Sequence, residues 1–470
     1  MTFTIDEVAA IVAGRVIHGE RAQSTTGRLF FDSRNPIAAG IFLALKGEHV
    51  DGHDFVINSG ASFSIVTRDV AAPAIVVEDV LVAASKWAAH FRSELTGLTV
   101  IGITGSQGKT TSKDMLAHLL RTILKDGEDA VIAPTGSFNN DLGLPVVLSS
   151  CSSKTRFCVA EMGARHRGDI SKLAQIANPR IGVVLKVGSA HLGEFGSREA
   201  IAQAKSELVS GIAKGGVAIL GTYDEFTPKM ASLRSDLTVV TFGEQGSETV
   251  RATDVEARGG FAHFELVTPR GREVVELRIA GMHNVANALA VAAVGFVLDF
   301  DVNEIATALS TFEPKSSWRM ELQEVSGITV INDAYNANPE SMRAALETTR
   351  LLAQESGGRA FAFLGTMNEL GDQSEALHRE IGDFATELGI DYLIAVNEAR
   401  YLAPSGSESD RVLAESLDAA RAHFTAIESG DCVLFKASRS VGLERLAAEF
   451  VAFLNGRDAD SGIETKGRNT

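Results

Sequence analysis

The sequence predicts an α/β protein built as three successive units, on three observations. Short β-branched runs alternate with amphipathic helical patterns along most of the chain, the mark of parallel sheets with helical crossovers. One such run, 98–104, enters a glycine-rich turn that opens directly into a helix pattern. A new series of strand-like runs begins after residue 316. The length, 470 residues, fits roughly three domains.

Residues 1–97 read as a small α/β unit. Short apolar runs in FFDSRNPIAAGIFLALKG are parted by Gly and Pro; SIVTRD and AIVVED follow as strands, and VLVAASKWAAHFRSEL as an amphipathic helix. Residues 98–315 read as the central unit, with strands LTVIGIT, RFCVAEM, IGVVLKV and GGVAIL and helices KTTSKDMLAHLLRTIL and SREAIAQAKSELVSGI. Its stretch VRATDVEARGGFAHFELVTP alternates like an antiparallel pair, and HNVANALAVAAVGFVL closes the unit as a helix. Residues 316–456 form a second open α/β sheet on the strands GITVINDAYN, RAFAFLGTM, DYLIAVN and DCVLFKAS. Residues 457–470 are polar and are expected to be a disordered tail.

The net charge of −16 argues against a broad nucleic-acid surface, which needs a basic stripe. A local anion site remains open, since backbone N–H groups bind phosphate without net charge. Cys151, Cys158 and Cys432 are odd in number and include no C-x-x-C, so neither a disulfide framework nor a zinc knuckle is expected. The N-terminus carries Asp6 and Glu7 where a signal peptide is basic, and no apolar run reaches 18 residues. The expectation is a soluble cytoplasmic protein with no membrane span.

The turn IGITGSQGKTT, residues 101–111, departs from the common phosphate loop G-x-x-x-x-G-K-[ST]. Ile103 stands where the first glycine belongs; the glycines fall at Gly102 and Gly105 instead. The chemistry is nevertheless complete. Gly105 and Gly108 let backbone N–H groups approach an anion. Lys109 can reach β- and γ-phosphates, Thr110 can offer its hydroxyl to Mg²⁺, and the helix dipole points at the same charge. Gly105, Ser106, Gln107, Gly108, Lys109, Thr110 and Thr111 are therefore predicted to bind a nucleotide.

This loop resembles that of the Mur ligases, T-G-[ST]-x-G-K-[ST]. The resemblance continues in family order through GSFNNDLGLP (136–145), EMGARHRGDI (161–170), SAHLGEFGS (189–197), AKSEL (204–208), HNVANALAVAA (283–293) and INDAYNANPESM (331–342). DSR (32–34) and LKGEHVDGHDF (45–55) are similar to the family's UDP-sugar-binding unit. Within the family, DGHDF, FNNDLG, EMGA and AYNANP most resemble the member that adds D-alanyl-D-alanine to a UDP-N-acetylmuramoyl tripeptide during peptidoglycan assembly. The resemblance implies that the first unit holds UDP-MurNAc-tripeptide, the middle one ATP and Mg²⁺, and the last the incoming D-Ala-D-Ala, in a monomeric enzyme. It implies a reaction through an acyl phosphate.

Individual residues take roles on that reading. Glu161 ends a strand, where ligand groups gather in parallel sheets, and a carboxylate there suits Mg²⁺; read alone it is also an ordinary strand-end acid. His191, alone more often structural, becomes by resemblance a second metal ligand. Lys205, alone a solvated helical lysine, becomes by resemblance a carbamate that joins Thr110, Glu161 and His191 at the metal. That chemistry needs a neutral amine, hence a desolvated lysine. By resemblance His283, Asn284 and Asn287 flank adenine, while Asp333, Tyr335 and Asn336 meet ribose and phosphate. Arg319 can reach a phosphate bidentately. Ser33, Arg34, Lys46, Asp51, Asn139 and Asn140 are expected on the UDP-MurNAc-peptide. Lys436 and Ser438, in FKASRS, either touch substrate or the closed hinge, or are ordinary surface residues.

Three departures stand out. Residues 221–224 are Gly-Thr-Tyr-Asp where the family commonly has Asn-x-Asp-Asp; Trp318 replaces a glycine before Arg319; Thr366 replaces an aspartate before Met367. The alternatives are a sibling ligase adding a single amino acid, and a GTPase-type switch, which lacks its N-K-x-D guanine reader here.

Overall fold

The structure, a computed structural model, describes residues 1–134, 136, 138–314, 317–402 and 410–461. The predicted strands of the central unit condense into one nine-stranded sheet. In spatial order it runs Gly271–Ala280, Phe261–Thr268, Val250–Arg258, Thr238–Gly243, Val217–Gly221, Ile181–Val184, Thr99–Thr104, Phe157–Glu161 and Val131–Ile132. Pairing is parallel from Val131–Ile132 through to Val250–Arg258, then antiparallel across the last two hairpins. Buried on both faces, the parallel strands are apolar runs, as their position requires.

The first unit is a five-stranded sheet ordered Arg15–Ile17, Ala74–Val76, Phe63–Val66, Ile41–Leu43 and Leu29–Phe30, parallel apart from its first pair. The helix Val80–Ser93 covers it. Asp79 caps that helix by accepting from Leu81 N and Val82 N, and fully buried Trp87 donates its indole N–H to Gly27 O at 2.7 Å. The C-terminal unit is a six-stranded sheet ordered Glu321–Val325, Ile328–Asn332, Cys432–Lys436, Ala360–Leu364, Tyr392–Val396 and Asp410–Ala414, parallel except for its opening hairpin.

Besides the short strands Phe3–Thr4, Arg15–Ile17, Ser24–Thr25 and Val131–Ile132, the sequence does not announce Thr238–Gly243, Gly271–Ala280, Glu321–Val325 and Asp410–Ala414. The last three are edge strands, and edges carry charges in place of a continuous apolar run. The tail needs correction. The final helix runs Leu443–Ser461, past Gly456 and into the segment expected to be disordered. A single helical glycine costs only about 1 kcal/mol, and Arg457 donates to Ile427 O at 3.2 Å, holding the last turns to the unit. Residues 462–470 and the 315/316 boundary lie outside the described residues. Among the described residues no helix is long and apolar enough to cross a membrane.

Candidate active site

Two sheets present the carboxyl ends of their strands to one cleft. Ile181–Val184, Thr99–Thr104 and Phe157–Glu161 are neighbours in the central sheet. From their ends rise the segment leading to His191, the glycine-rich loop, and Glu161. Across the cleft, Ile328–Asn332 and Cys432–Lys436 are neighbours and deliver Asp333 and Lys436. The cavity between them measures about 620 Å³. Ser106 to Thr111, Asn139, Asn140, Glu161, His191 and Lys205 line it from the central unit. His283, Asn284 and Asn287 join them, and Arg319, Asp333, Tyr335, Asn336 and Lys436 line it from the C-terminal side.

The loop folds as its glycines demand. Gly108 sits at φ +79°, and a Cβ there would stand 2.1 Å from Asn287 Oδ1, so both backbone and neighbour exclude a side chain. The helix Lys109–Leu124 starts at the next residue. Lys109 Nζ donates to Gly105 O at 2.7 Å. Removal from water lowers its pKa, opposed by the charge of Glu161 and reinforced by that of Arg319. Thr110 Oγ1 donates to Glu161 Oε2 at 2.9 Å, and Asn139 Nδ2 donates to Glu161 Oε1 at 2.8 Å. Glu161 is thus a buried carboxylate held from both sides.

Lys205 lies on the helix Arg198–Ser210 and is only 4% exposed. Burial pushes its pKa well below the ordinary lysine value, and the Lys109 ammonium pushes it further the same way. A buried lysine without a compensating carboxylate favours the neutral amine. Glu207, two residues on, accepts from Gly168 N and Ser171 N at 2.7 and 2.9 Å. It thereby ties the start of the helix Asp169–Ala177 to the Lys205 helix.

His191 has φ +62°, a left-handed conformation that costs a non-glycine residue about 1–2 kcal/mol and is tolerated where surroundings enforce it. Its Nδ1 lies 2.5 Å from Glu369 Oε2. Glu369 comes from the C-terminal unit and also meets Arg165 at 3.5 Å. The neighbouring His191 ring lowers the Glu369 pKa against the partial desolvation of its carboxylate.

The amides at the start of the helix Asn284–Val297 form a relay. Asn284 donates to Ala280 O at 2.7 Å, Asn287 donates to Asn284 Oδ1 at 2.8 Å, and Ser112 donates to Asn287 Oδ1 at 3.3 Å. Burial lowers His283 to about 4. Asn140 accepts from Gly143 N at 2.9 Å and so holds the turn into the helix Gly143–Ser149. Arg319 stacks on the Tyr335 ring, 3.9 Å from its centroid. Lys436, 1% exposed, bonds Asp333 Oδ2 at 2.5 Å and Asn336 O at 3.0 Å, and Asp333 Oδ1 accepts from Met320 N. Ser438 is buried and accepts from Asn368 N at 2.9 Å.

The four residues of the first unit do not line this cleft. Arg34, exposed, forks onto Asp32 at 2.8 and 2.9 Å. Ser33 is half-buried beside it. Exposed Lys46 pairs backbone with Asp51 in an isolated bridge. The backbone N–H of His53, followed by its ring, holds the Asp51 carboxyl down at about 2.

The departures find local reasons. Asp224 accepts from Val187 N, Phe226 N, Thr227 N and Thr227 Oγ1, so the retained acid fixes the segment before His191. Trp318 occupies φ +60° where the glycine would sit; its ring lies 3.9 Å under the Arg439 guanidinium and its backbone N–H donates to Glu321 Oε2 at 3.0 Å. Thr366 bonds buried Glu398, beside which an aspartate would add like charge. The reading of single residues passes over Arg165, His166 and Lys172, which line the cleft, and over Asn338, Glu340 and Glu369, which bridge the units. Arg165, His166, Asn338 and Glu340 lay inside quoted motifs and Lys172 and Glu369 outside them, and only the packing gives them their places.

Comparison with known proteins places this architecture. The Mur ligase middle domain matches residues 103–295, and the Mur ligase glutamate ligase domain matches residues 318–439. The chain is 38% identical to the UDP-N-acetylmuramoyl-tripeptide--D-alanyl-D-alanine ligase of Mycobacterium tuberculosis, over 96% of this chain and 98% of that one. It is 34% identical to the enzyme of that name from Bacillus subtilis, over 95% and 98%. The chain belongs to the Mur ligase family. Among solved structures it is similar to MurF from Acinetobacter baumannii, with TM-score 0.86 and 32% identity over 96% of this chain and 99% of that one. It is likewise similar to the MurF ligase of Thermotoga maritima in complex with ADP, with TM-score 0.79 and 29% identity over 92% and 98%. Its relatives by sequence and by structure thus carry the name of the D-alanyl-D-alanine-adding ligase.

Proposed function

We propose that this chain is an ATP-dependent ligase that joins D-alanyl-D-alanine to UDP-N-acetylmuramoyl-tripeptide, with ADP and phosphate as the other products. One observation carries the reading. A phosphate loop, a held carboxylate and a desolvated lysine converge at the mouth between two strand edges, in a chain similar to such ligases over almost its full length.

The donor set fits a hard cation. The Thr110 hydroxyl and the Glu161 carboxylate are 2.9 Å apart and offer oxygens, the ligands Mg²⁺ prefers. Thr110, Glu161, His191 and the carbamate of Lys205 would hold it. Bound there, it would supply charge neutralisation to a phosphoryl group in transfer. Lys109 would hold the γ-phosphoryl oxygens. Asn284, Asn287 and His283 would seat the base, and Arg319, Asp333, Tyr335 and Asn336 would close on ribose and phosphate. The peptide carboxylate, oriented by Asn139 and Asn140, takes the γ-phosphoryl group to give an acyl phosphate. The amine of D-Ala-D-Ala then attacks the carbonyl and phosphate departs. Shielding the acyl phosphate from water is the task of the closed cleft.

In this reading residues 1–97 bind the UDP-sugar-peptide through Ser33, Arg34, Lys46 and Asp51, residues 98–315 bind ATP, and residues 316–456 bring the dipeptide and close the cleft. The protein acts as a cytoplasmic monomer. Phosphate release by purified protein tests it. UDP-MurNAc-tripeptide with D-Ala-D-Ala is expected to support turnover, and single amino acids are not. The reverse result would make it a ligase of another step.

A further inference from the structure

The first turn of the helix Pro339–Ser356 leaves its own unit and enters the nucleotide loop. Glu340 Oε1 accepts from Ser189 N at 2.7 Å, and Glu340 Oε2 accepts from the Ser189 hydroxyl at 2.8 Å. Gln107 Nε2 donates to Asn338 Oδ1 at 2.8 Å and lies 3.3 Å from Glu340 Oε2. Behind them, Ser106 Oγ accepts from Gly188 N at 2.8 Å, and Ser106 N donates to Lys186 O at 2.9 Å. The Lys186 ammonium faces the Glu340 charge. Gly188 lies so close that a Cβ on it would be 2.8 Å from the Glu340 carboxylate.

The helix does not need this arrangement. Asn338 already caps it by accepting from Ser341 N at 2.9 Å, and a first-turn acid favours its own helix by charge alone. Glu340 instead commits both oxygens across the interface. What it grips is significant: Ser189 lies two residues before His191, and Gln107 two residues before Lys109.

We propose that Glu340 is a positioning residue, a latch that makes closure of the C-terminal unit and the shape of the nucleotide loop one event. Its consequence for catalysis rests on the ligase reading; its consequence for shape does not. Small-angle scattering of the full-length chain without substrates tests the shape. The radius of gyration is expected to rise in Glu340→Ala and to rise less in Glu340→Gln, which keeps the side-chain volume and one acceptor. Scattering curves identical to wild type, with both variants folded by circular dichroism, would overturn the latch. The second arm is the ratio of phosphate released to amide formed from UDP-MurNAc-tripeptide and D-Ala-D-Ala. It is expected near parity in wild type and severalfold higher in Glu340→Ala. In an unlatched cleft water replaces the amine at the acyl phosphate, returning carboxylate and inorganic phosphate. Ser189→Ala added to Glu340→Ala is expected to cause no further loss; additive losses would show that Glu340 does not act through Ser189. A wild type that forms no amide would remove the ligase reading, while scattering would still decide the latch.

Discussion

The nucleotide loop at 105–111 and the polar loops at 32–34 and 45–55 are equally distinctive as sequence and are held in opposite ways. Apart from the Lys109–Gly105 bond inside it, the nucleotide loop is anchored by residues remote in sequence: Gly108 meets Asn287, Thr110 meets Glu161, and Gln107 meets Asn338. The polar side chains of the first-unit loops are held mostly within the unit and largely by near neighbours: Arg34 meets Asp32, the His53 ring and backbone meet Asp51, and the furthest partners, Thr67 and Arg68, lie under twenty residues away. Remote anchors preorganise a site before its ligand arrives, which is what charge stabilisation in a transition state requires. Locally held, exposed side chains stay free to rearrange around a ligand, which suits binding more than chemistry.

Substitutions can break that contrast. The largest effect is expected for Lys109→Ala, which removes the amine proposed to hold the γ-phosphate. Turnover is expected to fall by about 10²–10³-fold or more with circular dichroism unchanged, and near-normal phosphate release would return the loop to a structural turn. Next is Lys205→Ala. Loss of activity, partly restored by a short-chain carboxylic acid, is the signature of a carbamate that a small carboxylate can replace; Lys205→Arg is expected to resist rescue, because a guanidinium fills the site and stays charged. Full activity of Lys205→Ala in CO2-depleted buffer would end that role.

Ser33→Ala and Arg34→Ala sharpen the other side. Each is expected to weaken UDP-MurNAc-peptide binding by up to about tenfold in a titration without ATP, and to leave ATP binding alone. Unchanged affinity in both would move the uridine site elsewhere. The smallest effect concerns His283, held near 4 by burial, with Asp333 raising its pKa and Lys186 and Lys436 lowering it. An unfolded histidine takes its proton near pH 6.5 and this one resists until about 4, so the stability it contributes is lost as pH falls through that window. Wild type is therefore expected to lose roughly 2–5 °C more in its unfolding midpoint between pH 7 and pH 5 than His283→Gln does.

Legibility followed the range of the forces involved. The helix Lys109–Leu124 matches the sequence reading residue for residue, because its start is dictated by a glycine at positive φ and its face by helical periodicity. Edge strands such as Gly271–Ala280, with Arg272, Glu273, Glu276 and Arg278 interleaved, gave no apolar run to read. In the cleft, the residue types were legible and their partners were not. Nothing near His191 in the chain announces Glu369, and nothing near Ser189 announces Glu340. Trp318 shows the same limit in reverse: a position that resemblance gives to glycine holds a left-handed tryptophan, stacked under Arg439 from the far end of its own unit.

By itself, then, the sequence determined the order of strand, loop and helix and the chemical types delivered at the strand ends, because backbone preference and side-chain periodicity act over a few residues. Only the tertiary structure decided which of those groups meet. It buried Lys205 in the field of the Lys109 ammonium, set Glu161 between Thr110 and Asn139, and brought Glu340 and Glu369 across the cleft. Desolvation and ion pairing depend on neighbours in space, and those neighbours lie tens to hundreds of residues away along the chain.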